Sequence, residues 1–286
     1  MAIFRLNSSE RRRKLLNFVF KESLRKDMQT VLFHSTIFGP IRSRRLGVSL
    51  GVNLTPDDGK ICTFDCLYCE AGFNAQGPGT TGFAPRERVA HLLESRLRNM
   101  SEAGEPLDVI TFSGNGEPTL HPDFGGVIDD TLRLRDRYYP SAKVSVLSNS
   151  TRLDRSDVEE ALRKVDNNIL KLDSALTATM RAIDRPTQPS FTSEKAIDWL
   201  CRFKGQCIVQ TMFLRGEYEG VRIDNTTPEE VDALIEAYRR IQPREIMIYS
   251  IDRQTPAQGL EKVSREELEE IARRISLATD IKVQVA

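Results

Sequence analysis

From residue 48 onward the sequence alternates short β-rich runs with amphipathic helical stretches, and this alternation limits the fold more than any other feature. Apolar, β-branched runs at 48–54, 109–113, 143–147, 169–173, 207–214 and 245–251 predict six strands. Three of the intervening helices open on Ser/Thr-x-x-Glu. These are Ser156 with Glu159, Thr227 with Glu230 (Pro228 at the first helical position), and Ser264 with Glu267. In that pattern the hydroxyl accepts from a free N–H of the first turn, so each helix has a defined start. Strands that alternate with helices form a parallel sheet wrapped by those helices, an α/β fold. Right-handed crossovers then bring every strand's C-terminal end to one face, where the chemistry of such sheets gathers. A last short strand at 282–285 is expected to close the array.

The stretch "KICTFDCLYCEAG" follows the first strand and places Cys62, Cys66 and Cys69 close together, far from the remaining Cys201 and Cys207. Five cysteines in 286 residues do not make a disulfide-stapled domain, and a reducing cytoplasm is the expected compartment. Three thiols are one ligand short of a closed site. One reading is a structural zinc completed by His34 or His91. The other is an iron–sulfur cluster held by three thiolates, with one iron left open for a ligand. Spacing alone leaves both standing. Cys201 and Cys207 read as small core residues, Cys207 opening the apolar run "CIVQTMFL".

Unusual residues recur at the later strand ends. The second strand runs into "FSGNGEPTLHP", where Gly114 and Gly116 remove side chains so that the backbone can approach a ligand, beside Asn115 and Glu117. Glu117 could accept from an ammonium group. The third strand ends "VLSNST", offering Ser148 and Asn149 to a hydroxylated ligand, and the fourth ends "LKLDSA", offering Asp173. Each has a plainer reading as a glycine turn or a cap. His121 could reach the active face, with a plainer reading as a loop histidine packed on Pro122. Arg215, Glu217, Asp252 and Arg253 follow later strand ends, as ligand contacts or as solvated side chains. The glycine-rich loop 71–85 is a candidate lid.

Taken together these residues resemble the radical SAM superfamily. The spacing of Cys62, Cys66 and Cys69 is that superfamily's cluster motif, with Tyr68 as its usual aromatic. "GNGEP" looks like its glycine–glutamate motif, and Ser148 and Asn149 fall in its ribose-contacting region. A narrower likeness is carried by "FGPIRSRRLGVSLGVN", "SGNGEPTLHP", "KLDSA" with "IDRP", and "YSIDR" with "KVSREELEEIARR". These are similar to a branch that holds the wybutosine-type tRNA-modifying enzymes and their bacterial relatives. The resemblance implies a partial (β/α)6 TIM-like barrel. It implies a [4Fe–4S] cluster on the three cysteines, and S-adenosyl-L-methionine (SAM) bound at the open iron. Its SAM contacts would come from Tyr68, Gly114, Asn115, Gly116, Glu117, Ser148, Asn149 and Asp173. A one-electron reductant such as flavodoxin or ferredoxin would drive SAM cleavage to a 5′-deoxyadenosyl radical, which takes hydrogen from a substrate. The wybutosine enzymes carry a second cluster on upstream cysteines, whereas no cysteine precedes Cys62 here. A single cluster is therefore expected.

Charge narrows the substrate only a little. The chain is neutral overall, with 41 basic and 41 acidic side chains, but residues 1 to 30 carry eight basic and three acidic ones. Residues 8–32 are predicted to form an amphipathic helix with Leu16, Val19, Phe20, Leu24, Met28 and Val31 on one face. The expected division is a basic helical extension at 1–37 and a radical SAM core at 38–286. The helix and the narrower likeness favour an RNA substrate, tRNA included; a protein or peptide is the alternative. There is no apolar run of about 18 residues, so no membrane span is expected. Nor does the N-terminal stretch read as a secretory signal.

Overall fold

The computed structural model of the chain describes residues 31–43 and 46–286. The alternation read from sequence becomes one ten-stranded sheet. Its first strands, β1 (Ile37–Ser43) and β2 (Gly47–Val52), pair antiparallel. From β2 the sheet runs parallel through β3 (Val109–Phe112), β4 (Lys143–Ser148), β5 (Asn167–Lys171), β6 (Cys207–Tyr218), β8 (Glu245–Ser250) and β10 (Val283–Val285). Two short strands, β7 (Val221–Asp224) and β9 (Leu260–Lys262), pair antiparallel with the far half of β6. Neighbours in the parallel run follow chain order, as a right-handed βα progression requires. The sheet ends at β1 and β10, so the barrel is partial. The strand expected to close the array instead adds at the β8 edge.

Alternation along each strand sorts the side chains into two layers. Leu50, Val52, Ile110, Phe112, Leu170, Val209, Ile246 and Ile248 join the large core shared with the helices. Ile169, Ile208 and Met247 form a smaller apolar group with Leu46 and Leu147. The same concave side carries polar groups, including Ser49, whose Oγ lies 2.8 Å from Thr111 Oγ1.

Among the described residues seven helices cover the outer face: α1 (Arg86–Glu102), α2 (Phe124–Tyr138), α3 (Ser156–Lys164), α4 (Thr177–Asp184), α5 (Ser193–Leu200), α6 (Pro228–Ile241) and α7 (Arg265–Thr279). In α1 the buried residues are Val89, Leu93, Leu97 and Met100, a helical stripe. Each such side chain contributes roughly 1.5–3 kcal/mol when removed from water.

Two of the expected caps form. Thr227 accepts from Glu230 N and Ser264 from Glu267 N. The reciprocal half of the capping box is absent, because Glu230 accepts from Ser174 Oγ at 2.6 Å and Glu267 pairs with Arg215. The third expectation is corrected: Arg155 is the N-cap residue of α3, and Ser156 is already helical. Asp157 and Glu159 in the first turn supply the negative charge that favours this end.

The amphipathic helix expected at 8–32 falls almost wholly on residues 1–30, outside the described residues. The expected boundary at 37/38 falls at the start of β1. Residues 31–36 are bonded to the core: Val31 N donates to Glu70 O at 2.8 Å, and Asn53 N donates to Thr36 O at 2.8 Å.

Candidate functional site

The loop carrying the three cysteines is clamped from two sides. On one side Ile61 N donates to Asn115 O at 3.2 Å, and Glu117 N donates to Ile61 O at 3.1 Å. On the other, Leu67 N donates to Ile183 O at 2.9 Å, Asp65 N to Asp184 O at 3.0 Å, and Thr187 N to Thr63 O at 2.9 Å. The loop after β3 and the end of α4 therefore fix Cys62, Cys66 and Cys69 over the C-terminal rim of the sheet, each half-buried. Burial pushes the Cys62 thiol up to about 12, with the nearby Glu117 carboxylate adding to the shift. Burial also raises the Cys66 thiol well above its usual range, against the opposing pull of Lys171. Thiols held neutral in this way become thiolates when a metal replaces their protons. Cys62 Sγ already faces two donors, Phe64 N at 3.5 Å and Asn149 Nδ2 at 3.6 Å.

Among the described residues no three His, Cys, Asp or Glu side chains gather closely enough to hold a single metal ion. A tetrahedral zinc needs its ligands around one point, whereas the thiolates of a cluster bind separate irons. His34, one of the two candidate fourth ligands for zinc, has Nδ1 2.9 Å from Asp57 O. Three cysteine thiols on one clamped loop are a donor set that fits an iron–sulfur cluster.

The glycines after β3 also admit other parts of the chain to close range. A Cβ on Gly116 would lie 1.8 Å from Ile61 O, and one on Gly114 would lie 2.2 Å from Asn53 Oδ1. They admit the cysteine loop and Asn53, just after β2, to close range. Asn115 is fully buried, and its amide is consumed by protein. Its Nδ2 donates to Phe33 O and Pro56 O, both at 2.9 Å, and its Oδ1 accepts from Phe33 N at 2.8 Å.

Glu117 is 2% exposed and stands at the centre of the rim. Its Oε1 accepts from Thr119 Oγ1 at 2.6 Å, Thr119 N at 3.1 Å and Ser148 Oγ at 2.8 Å, and its Oε2 accepts from Asn149 N at 2.7 Å. Burial raises its pKa, and those donors work in the other direction. All of these donors are neutral. Asn149 continues the group toward the cysteines, donating from Nδ2 to Thr63 Oγ1 at 2.9 Å. Glu117, Ser148 and Asn149 thus form one bonded unit touching Cys62.

Tyr68 and Asp173 belong to a second unit. Asp173 is fully buried; it accepts from Tyr68 OH, from Lys171 Nζ at 2.5 Å and from Met212 N at 2.9 Å. Lys171 Nζ also lies 3.2 Å from Asp184 Oδ1 and 4.5 Å from the centre of the Tyr68 ring. Cys66 Sγ donates to the same Asp184 oxygen at 3.6 Å. Although burial alone would lower it, the Lys171 pKa stands well above its usual value because of Asp173 and Asp184. Lys171 and Asp184 were missed in the sequence. The available signal was a lysine in "NILKLD" on the same strand face as Ile169. Beside Tyr68 a cavity of about 200 Å³ opens between Met212, Ile251, Asp252, Arg253 and Lys262.

Most of the remaining candidates have partners within the protein, and Asp252 and Arg253 also line the cavity beside Tyr68. Both ring nitrogens of His121 are engaged, with Ala84 O at 2.8 Å and Asp123 N at 3.1 Å. Arg215 pairs with Glu267, and Arg253 with Glu70. Glu217 is exposed, and Asp252 lies 3.2 Å from Lys262 Nζ. Cys207 is buried in the main core with Cys201 packed against it. Loop 71–85 is tied at its middle, Lys60 N donating to Gly77 O at 2.8 Å and Thr80 N to Asp58 Oδ1 at 3.0 Å.

Residues 58–223 match the family model of the radical SAM superfamily, and they include both clamps, Glu117, Asn149 and Lys171. The chain belongs to the radical SAM superfamily. It is 30% identical over 230 residues to a UPF0026 protein of Synechocystis, covering 78% of this chain and 77% of that one. A Brachyspira hyodysenteriae protein named GTPase Obg is 27% identical over 255 residues; the match covers 87% of this chain but 35% of that protein. Among solved structures, TYW1 with a bound lysine–pyruvate adduct superimposes at a TM-score of 0.56 with 16% identity, over 94% of this chain and 90% of that one. That likeness is one of fold. As a radical SAM enzyme the chain is expected to use SAM and an iron–sulfur cluster. No helix among the described residues is long and apolar enough to cross a membrane.

Proposed function

We propose that this radical SAM enzyme holds a single [4Fe–4S] cluster on Cys62, Cys66 and Cys69, and that Glu117 receives the ammonium group of SAM. The observation that carries the reading is Glu117 itself, a carboxylate 2% exposed, bonded to neutral donors and joined through Asn149 to Cys62. A buried anion without a cationic partner is costly, and a ligand ammonium relieves that cost. When bound, the cluster and SAM supply a one-electron cleavage that gives a 5′-deoxyadenosyl radical for hydrogen abstraction.

The chain's own residues bind and orient. Ser148 and the backbone of Asn149 aim the Glu117 carboxylate, and Asn149 Nδ2 supports Cys62. Asp173 and Lys171 lock the Tyr68 side chain, which leaves the Tyr68 backbone and the adjoining cavity for adenosine. A carrier such as flavodoxin or ferredoxin delivers the electron, and a reducing cytoplasm suits the exposed chemistry of the three thiols.

For the substrate we favour an RNA, on the excess of basic side chains in residues 1 to 30. Anaerobic reconstitution should give about four irons per chain, and the triple change of Cys62, Cys66 and Cys69 to Ala should abolish iron uptake. Stoichiometric zinc in their place would refute the reading. The substrate is tested by incubating reduced enzyme and SAM with deuterated tRNA or deuterated small proteins. Deuterium in 5′-deoxyadenosine from the protein fraction alone would sink the RNA assignment.

A further inference from the structure

The concave side of the sheet encloses a second cavity, of about 140 Å³, which no part of the mechanism above uses. Leu147 on β4, Ile169 on β5 and Met247 on β8 give it aliphatic walls. Its polar groups are hydroxyls and one amide, and among the described residues no charged side chain lines it. Two of the hydroxyls, Ser49 Oγ and Thr111 Oγ1, lie 2.8 Å apart and satisfy each other. The amide has no such neighbour. Gln210 is 9% exposed, yet among the described residues its side chain makes no hydrogen bond. The Ser113 hydroxyl is likewise without a partner there. Both groups adjoin the rim: Gln210 is in register with Lys171 on β5 and Met247 on β8, and Ser113 immediately precedes the glycine–glutamate loop.

What fits the cavity follows from its chemistry. A phosphate or carboxylate would find no cation on these walls, and an ammonium no anion, so a charged group would be buried uncompensated. A purely aliphatic group would leave the Gln210 amide desolvated and unpaired. A neutral ring with donors and acceptors on its edge meets both conditions. Its faces pack on aliphatic side chains and its edge answers the amide. Glutamine offers an acceptor and two donors, and pairs in bidentate fashion with the edge of a nucleobase. Single-stranded RNA is read in this way, by bases turned out of the stack into a pocket while the phosphates stay outside.

We propose that the concave cavity takes a nucleobase of the substrate RNA and that Gln210 reads its edge, which makes Gln210 a specificity-determining residue. This rests on the RNA reading given under Proposed function. The role requires no contact between Gln210 and either SAM or the cysteines.

The test uses the full chain, reconstituted anaerobically with iron and sulfide and saturated with S-adenosylhomocysteine, which occupies the SAM site without being cleaved. Adenosine, guanosine, cytidine and uridine are the probes, and saturation-transfer NMR reads their binding. Wild type should prefer one of them. Gln210→Met keeps the length of the side chain and removes the amide. It should weaken binding of the preferred nucleoside roughly ten- to a hundredfold and lose the preference. Its iron content, SAM affinity and urea midpoint should match wild type, because an amide unpaired within the protein has no bond there to lose. If Gln210→Met does not fold, Gln210→Leu takes its place; failure of both would make the amide structural and overturn the inference. So would a wild type that binds no nucleoside or all of them alike, and a folded variant that keeps the wild-type preference. Deuterium transfer from the protein fraction alone would sink the RNA reading and this inference with it. A chain that takes up no iron would sink the cluster reading instead, and the nucleoside titration of the iron-free chain would still decide this inference.

Discussion

Replacing Gly116 by Ala tests whether the glycine–glutamate loop and the cysteine loop form one mechanical unit. The added Cβ would stand 1.8 Å from Ile61 O and 2.6 Å from Ile61 C, both backbone atoms that cannot rotate away. Gly116 does not have a left-handed φ, so the penalty is steric and not conformational. The two loops must part, which breaks the bonds from Ile61 N to Asn115 O and from Glu117 N to Ile61 O. Two such bonds are worth roughly 1–3 kcal/mol together, and overpacking adds about 1–3 kcal/mol. The expected loss of about 2–6 kcal/mol is a large part of the roughly 5–15 kcal/mol by which domains are stable. Urea unfolding of the metal-free protein reads the stability, and iron content after reconstitution reads the effect on the cysteines. Gly77→Ala is the control, because a Cβ there meets nothing within 4 Å. A Gly116→Ala protein within about 0.5 kcal/mol of wild type, taking up iron normally, would refute the coupling.

Two further outcomes are expected. Glu117→Gln should keep the cluster and the approximate shape of the pocket while weakening SAM binding ten- to a hundredfold, about 1.5–3 kcal/mol, as read by calorimetry on the reconstituted protein; unchanged affinity would reduce the motif to a turn. Cys207, pushed by burial from 9.0 up to about 12, binds its proton more tightly when folded than when unfolded. Stability should therefore fall as pH rises above the unfolded value and level off near the folded one. Between pH 8 and pH 10 the metal-free wild type should lose about 1.4 kcal/mol more than Cys207→Ala; equal losses would show that the thiol ionises freely in the fold.

The sheet was legible because its parallel strands are buried on the helix side and announce themselves as apolar runs. β1 was not, since "IFGPIRS" contains Gly39 and Pro40 and forms an edge with three exposed positions. β7 and β9 were missed for a related reason: both are short, largely exposed, and exist by pairing with β6. At the site, the cysteines and Glu117 stood out because their chemistry is written in local spacing. Lys171 and Asp184 did not, because their importance lies in which distant group each meets, Asp184 with Cys66 and with Lys171. Asn225 is another such case. It reads as a turn residue in "DNTTPEE", yet its buried amide joins Asp173 O at 2.8 Å to Met212 O at 2.7 Å. Gly116 was noticed, and only the folded chain reveals that Ile61 O occupies the space beside it.

The distribution of charge at the rim supports the proposed pairing of an ammonium-bearing ligand with a cluster on the cysteines. On the β5 side, Lys171 meets Asp173 and Asp184, and burial together with the neighbouring Asp173 raises the Asp184 carboxyl well above its usual range, so that unit is answered within the protein and holds Tyr68 and the end of α4. On the β2–β4 side the charges are separated. Glu117 is a buried anion among neutral donors, and Lys60 is a buried cation with part of a carboxylate. Their mutual neutralisation is prevented by geometry, because the cysteine loop lies between the glycine–glutamate loop and residues 71–79. A cation placed at Glu117 and an anion placed at the cysteines would each relieve a charge that the fold leaves uncompensated. An ammonium-bearing ligand beside an anionic cluster meets both requirements together. Either ligand alone would leave one buried charge still exposed to the cost of desolvation, so binding of the two should be mutually favourable.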